Sequence, residues 1–233
     1  MLEDTFHDDT EDHWIAVSDL MSGLMILFLL IAVLYLVIVE RQNDEIERVV
    51  VLYEDLREEL YTDLMHEFGA DLPAWGAELG RDLRFRFVNT DLLFEEGSAS
   101  LKPAFSTILG DFFPRYMTLL TSAKYREEIL EIRIEGHTSS AWAQALDDDD
   151  AYLRNMALSQ ERTRAALGTI MALPQVVHEK NWLRERLTAN GLSSSQPVLL
   201  ENGSEDADRS RRVEFVVVTD AETRLSTILQ EIR

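Results

Sequence analysis

One carboxylate, Asp19, stands at the mouth of an otherwise uncharged apolar run from Ile15 to Val39. At about 1.5 Å per residue, the stretch from Leu20 onward is long enough to cross a hydrocarbon core of about 30 Å. Insertion scales put the cost of an acid at the centre of such a helix at about 2.5–3.5 kcal/mol. Acids retained inside spans face a bundle interior or a water-filled path, where they carry protons or ions. The other reading makes Asp19 a solvated end residue in the headgroup layer. Trp14, Ile15, Ala16 and Val17 extend the apolar character before it and favour the first. Elsewhere the chain offers little chemistry. It has no cysteine, which excludes disulfides and thiolate metal sites. The histidines at 7, 13, 66, 137 and 178 show no paired ligand spacing, so no metal and no cofactor are expected. No phosphate loop or nucleophile elbow appears, so the chain does not read as an enzyme. The acidic run Asp147–Asp150 lacks the glycine and terminal glutamate of a calcium loop. A net charge of −21 with no basic cluster argues against nucleic acid as a partner.

The elements that must position Asp19 begin with an acidic segment, residues 1–13, followed by the span, 14–39. A secretory signal would have a basic start, a shorter apolar region and a small-residue cleavage site. None is present, so the span reads as an uncleaved anchor. The positive-inside rule would put Arg41, Arg48 and Arg57, and with them the large domain, in the cytoplasm. Ile46, Val49, Tyr53, Leu56, Leu60, Leu64 and Phe68 then form a narrow stripe at steps of three and four. It fits a parallel helix pair joining two copies of the chain, or one amphipathic helix lying on its own domain or on the membrane. Gly69, Pro73, Gly76 and Gly80 break the pattern and mark a boundary. Residues 40–80 are thus a helical linker with a dimerisation segment.

From Arg81 to residue 220 the pattern is mixed. Leu83, Phe85 and Phe87 alternate with arginines, and Ile129–Glu135 alternates again, as strands do. Pro103 opens a helix through Phe113. Further helices are expected over 152–173 and 179–189, strands over 197–201 and 213–219, and a terminal helix over 221–233. The fold class is α+β: a single N-terminal transmembrane helix, a helical linker, and a sheet with helices packed on one face.

Four segments, LLFEEGSASLKP (Leu92–Pro103), IRIEGHT (Ile132–Thr138), NMALSQERTRAAL (Asn155–Leu167) and DRSRRVEFVV (Asp208–Val217), occur in the order and at the separations of the OmpA-like peptidoglycan-binding domain. The resemblance covers Leu83–Thr219 and implies an OmpA-like α/β sandwich. It further implies that Arg162, supported by Asn155 and Leu158, grips the free carboxylate of a diaminopimelate stem peptide. A planar guanidinium can meet a carboxylate through two parallel hydrogen bonds. The chain departs from the pattern at Ser139, where the family carries the aspartate that pairs with the ligand's ammonium group. The stretch SAWAQALDDDD (Ser140–Asp150) looks inserted; its acids either supply the missing charge or form a solvated loop. Ser210 replaces a common asparagine, and His137 reads as a packing and hydrogen-bonding residue of the GHT turn.

The span itself, WIAVSDLMSGLMILFLL (Trp14–Leu30), resembles that of flagellar stator B subunits of the MotB type, and its SDLMSGLM wording is closer still to the B subunits of Zorya anti-phage defence motors. Either resemblance makes Asp19 the ion-carrying residue, with Ser18, Ser22 and Gly23 as small packing positions beside it. It implies a homodimer inside a pentameric A-type membrane subunit, driven by H+ (or Na+) and anchored to peptidoglycan. The site would then be an inner membrane with the N-terminus cytoplasmic and the domain periplasmic, against the arginine count. A passive wall-binding anchor, with no ion transport, is the remaining alternative.

Overall fold

The arginine–phenylalanine alternation that begins at Arg84 seeds a five-stranded sheet. A computed structural model describes residues 8–88, 93–95 and 97–220. The acidic residues 1–7, Leu92 and Glu96 of the first motif and the expected terminal helix over 221–233 lie outside the described residues. The chain divides into two units, Met1–Val51 and Leu52–Arg233.

In the first unit the backbone is helical from Asp8, within α1 (Asp8–Phe68). Val17–Arg41 is the one stretch among the described residues that is long and apolar enough to cross a membrane. Its large side chains, Leu20 through Ile38, are exposed on the isolated helix, an arrangement that water penalises and lipid does not.

In the second unit the last turns of α1 leave the surface. Leu60, Leu64 and Phe68 are fully buried and Leu56 packs beside them, so this half of the stripe lies on its own domain. The half at Ile46, Val49 and Tyr53 lies outside the described side chains. Phe68 sits 5.3 Å from the rings of both Phe85 and Phe112, at the edge of an aromatic cluster in which Phe112 also meets Trp75, Phe87, Tyr116 and Phe215. A short α2 (Leu72–Trp75) leads into β1 (Ala77–Leu79) and β2 (Arg84–Phe87), then α3 (Pro103–Leu120) and β3 (Ile129–His137). There follow α4 (Asp148–Ala172), a 3₁₀ segment (Pro174–Glu179), α5 (Lys180–Arg186), β4 (Leu187–Gly191), α6 (Ala207–Ser210) and β5 (Arg212–Thr219). The order across the sheet is β1-β2-β5-β3-β4, antiparallel except for the β3–β4 pair.

Proline is favoured at the first position of a helix, and Pro103 opens α3 there. The helix continues through Pro114, beyond the expected end, because Tyr116, Met117 and Leu120 are buried in the core. Two expectations for the second half are corrected. Residues 187–189, expected as the end of a helix, instead belong to β4. The expected strand over 197–201 is only a bridge between Leu199 and Glu205. LTANG offers only Leu187 and Ala189 as an alternating apolar pair, too short a signal by itself; it is a strand because it pairs in parallel with Ile132–Gly136 beneath α4.

Candidate functional site

In the span, Asp19 shares a helix face with Ser22 and Gly23, three and four residues further on. Ser22 Oγ donates back to the Ser18 carbonyl at 2.8 Å, so it does not engage the acid. A Cβ at Gly23 would meet nothing within 4 Å. Asp19 itself is exposed on the isolated helix.

The second candidate lies on α4. Asp147 caps its start by accepting from the Asp150 N–H at 2.8 Å, while Asp150 accepts from the Leu146 N–H at 3.0 Å and pairs with Arg154 at 2.9 Å. Two acids of the Asp147–Asp150 run therefore satisfy a helix N-terminus. From there α4 runs directly over the strands. Gly136 and Gly191 are register partners on β3 and β4. A Cβ on Gly136 would stand 2.7 Å from Thr163 Cγ2, and one on Gly191 would stand 2.3 Å from the Gln160 backbone nitrogen. Only glycine admits so close an approach. Ser159 Oγ accepts from the Ser193 N–H at 3.1 Å, and Ser193 Oγ donates to the Tyr152 carbonyl at 2.8 Å, locking the helix to the turn after β4.

This docking places Asn155, Leu158 and Arg162 along one side of α4. Asn155 is buried, and its Nδ2 reaches the Ala141 carbonyl at 3.5 Å. Leu158 is half-buried. Arg162 Nε donates to the Ser98 carbonyl at 2.9 Å, and its guanidinium lies 5.0 Å from the Phe94 ring centre. These contacts fix the fork and leave both terminal nitrogens without a partner among the described residues. No carboxylate among the described residues pairs with Arg162. Burial, and then the nearby charge of Arg211, push its pKa below the ordinary arginine value.

Ser139 is buried and offers no charge. Beside it, the Ser140 N–H and Oγ donate to the carboxylate of Glu205, the N–H at 3.1 Å and 3.2 Å to its two oxygens. Burial pushes the Glu205 carboxyl up, but the bonds from Ser140 and Ser210 and the charge of Arg211 outweigh it and hold it below its usual value. Neither Glu205 nor Arg211 is evident from the sequence. They lie more than forty residues beyond Arg162, outside the reach of any local pattern. Ser210, in place of the common asparagine, is buried and accepts from the Val198 N–H at 3.0 Å.

On the sheet face opposite the helices lies a charge lattice. Arg84 donates to Glu135 and Glu214 at 2.8 Å each, and Arg212 donates to Glu214 at 2.5 Å. His137 packs against them fully buried. Its Nε2 lies 3.8 Å from Glu135 and 3.9 Å from Glu214, and neither ring nitrogen has a hydrogen-bond partner. It is thus the expected packing residue but not a hydrogen-bonding one. Burial, aided by Arg212, lowers its pKa to about 4. Glu135, His137 and Glu214 have the proximity of metal ligands, within 4.8 Å of one another. Their carboxylates are already bound by guanidiniums, which would repel a cation.

No family model matches the chain. A relative, Zorya protein ZorB from Escherichia coli, is 44% identical over 225 residues, covering 96% of this chain and 95% of the relative. Among solved structures, a MotB-like protein from Desulfovibrio vulgaris aligns with a TM-score of 0.50 at 23% identity, over 71% of this chain and 96% of its own. It shares the fold of the sheet domain. The cell wall anchor of the T6SS from Pseudomonas aeruginosa aligns with a TM-score of 0.43 at 22% identity, over 67% of this chain and 97% of its own.

Proposed function

The chain belongs to the family of the Zorya protein ZorB, and on that premise we propose that it is the B subunit of an ion-driven rotary membrane motor, anchored to peptidoglycan and serving anti-phage defence. The observation that carries the reading is the union in one chain of a lone acid at the mouth of a span-length helix and a guanidinium with no carboxylate partner among the described residues of a MotB-like sheet domain.

Two copies would present two Asp19 carboxylates inside a ring of five A-type subunits in the inner membrane, with the N-terminus cytoplasmic and the sheet domain periplasmic. Helix pairing through Ile46, Val49 and Tyr53 would join the copies. The small face at Ser22 and Gly23 lets a neighbouring helix approach the acid closely. Protonation removes the carboxylate's charge and lowers the cost of facing an apolar wall; deprotonation restores the preference for a polar contact. Each proton crossing releases about 2.3 kcal/mol per 100 mV, and alternation between the two acids turns this into rotation of the ring. Torque requires a fixed foot. Arg162 provides it by binding a stem-peptide carboxylate through its two terminal nitrogens, with Asn155 and Leu158 shaping the approach.

The test is Asp19→Asn in cells that depend on this system for phage protection. The expected result is loss of protection at unchanged membrane abundance. Full protection by the variant would remove the motor and leave a passive wall anchor. Restored swimming in cells lacking a stator B subunit, without phage protection, would favour a flagellar stator instead.

A further inference from the structure

We propose that the outer edge of β4 and the groove between it and α4 form a docking site for an extended acidic peptide segment of a partner protein, which adds a sixth strand to the sheet.

β4 ends the sheet order, so one of its sides has no neighbouring strand. On its inner side the Leu192 N–H donates to the Gly136 carbonyl at 2.9 Å. Backbone groups alternate in direction along a strand, so Ala189 and Gly191 aim their N–H and C=O groups away from β3. Thr188 through Leu192 are only half-buried, and no polar group among the described residues meets those of Ala189 and Gly191 on the outer side. A free row of donors and acceptors recruits another chain, and edges are ordinarily blunted by charge, proline or a bulge. LTANG has none of these. The opposite edge, β1, is three residues long, and its Glu78 is held by Arg209.

Beside the free edge lies a groove of about 530 Å³, with Gln160, Arg164 and Leu167 of α4 along one wall and Ala189 and Gly191 along the other. A helix wall next to an unpaired strand suits an extended peptide: main-chain hydrogen bonds hold it, and pockets select alternate side chains. Here an apolar side chain meets Leu167. A carboxylate two residues away meets Arg164, which is exposed and pairs with no carboxylate among the described residues. Gln160 and Arg164 each stand two residues from Arg162. At 3.6 residues per turn this puts them across the helix from the Ser98 contact, so the groove is separate from the Arg162 site.

A second copy of this chain does not fit the edge. α4 is seated so closely over β4 that a Cβ on Gly191 would stand 2.3 Å from the Gln160 backbone nitrogen. Pairing two β4 strands about a two-fold axis would set two α4 helices over strands about 4.8 Å apart, whereas packed helices need about 8–10 Å. A lone extended segment brings no helix with it and meets no such clash.

The experiment uses the full-length chain in detergent and a fluorescent octapeptide that alternates valine with threonine, one central valine being replaced by glutamate. Anisotropy is expected to show saturable binding. Glutamine in place of that glutamate, or Arg164→Gln in the protein, is expected to weaken it about tenfold, the worth of one hydrogen bond to a charged group, and both together no further. Two more peptides carry N-methyl groups on alternate backbone nitrogens, one set for each edge of the strand. Only one set is expected to abolish binding, because only one edge pairs with β4. Ala189→Pro removes an outward N–H and spares the bonds to β3, and is expected to abolish binding with little change in thermal midpoint; should it unfold, the methylated pair decides. No binding of the unmethylated peptide up to about 1 mM overturns the proposal. So do equal effects of the two methylated sets, full binding by a folded Ala189→Pro chain, and binding indifferent to both the glutamate and Arg164→Gln.

Discussion

Replacing Arg162 tests the anchor most directly, because its three nitrogens have separable tasks. Nε donates to the Ser98 carbonyl, and the plane rests on Phe94; both contacts hold the loop that carries Phe94 and Leu101. The terminal nitrogens are the ones available for a ligand carboxylate. A bidentate pair makes two charge-assisted hydrogen bonds, and the loss of both is worth about 3 kcal/mol when each contributes about 1.5 kcal/mol. Arg162→Ala should therefore weaken binding to peptidoglycan about a hundredfold. Arg162→Lys keeps the charge but not the fork, and should lose about tenfold. Both variants drop the Ser98 bond, which costs the fold about 1 kcal/mol. The assay is co-sedimentation of the detergent-solubilised full-length chain with purified sacculi, alongside a melting curve for each variant. Graded binding, wild type above lysine above alanine, with nearly equal melting of the two variants is the expected pattern. Alanine binding within twofold of wild type would refute the argument; a loss matched step for step by unfolding would show that Arg162 serves only the loop.

Asp19→Asn should abolish phage protection while leaving membrane insertion unchanged or slightly improved, since it removes a charge from the span; immunoblots of membrane fractions and plaque counts read the two effects. Gly191→Ala drives a Cβ to 2.3 Å from the Gln160 backbone nitrogen, where no rotamer change can relieve it. The expected loss is about 3 kcal/mol, the upper range for overpacking, seen as a fall of several degrees in thermal midpoint. His137 has its folded pKa lowered from 6.5 to about 4, so the unfolded chain binds the extra proton first. Stability should thus be full above pH 6.5 and decline by about 3 kcal/mol as pH falls to 4. Denaturant titrations across that window should show the slope in the wild type and a flatter curve in His137→Gln.

Periodicity and composition were enough for the span, the helix that follows it, the Phe85–Phe87 and Val213–Thr219 strands and the helix bearing Arg162. In each, a single face or a whole segment is apolar, so solvent alone dictates which side turns inward. The proposal for Asp19 comes from the same reasoning, as a charge inside an apolar run. The proposal for Arg162 comes only from its surrounding motif, since a lone arginine on a helix carries no signal of its own. Other features were set by contacts between distant segments. LTANG became a strand because parallel pairing and a close helix require glycine, not because its residues favour extension. The stripe from Leu56 to Phe68 lies on its own domain because Phe85 and Phe112 present the aromatic surface it fits. Glu205 faces Ser140 across 65 residues of sequence, joined by a turn at Gly203 and a clamp of three hydrogen bonds. Local pattern records how each residue meets solvent; it carries no record of which other segment will complete its charge.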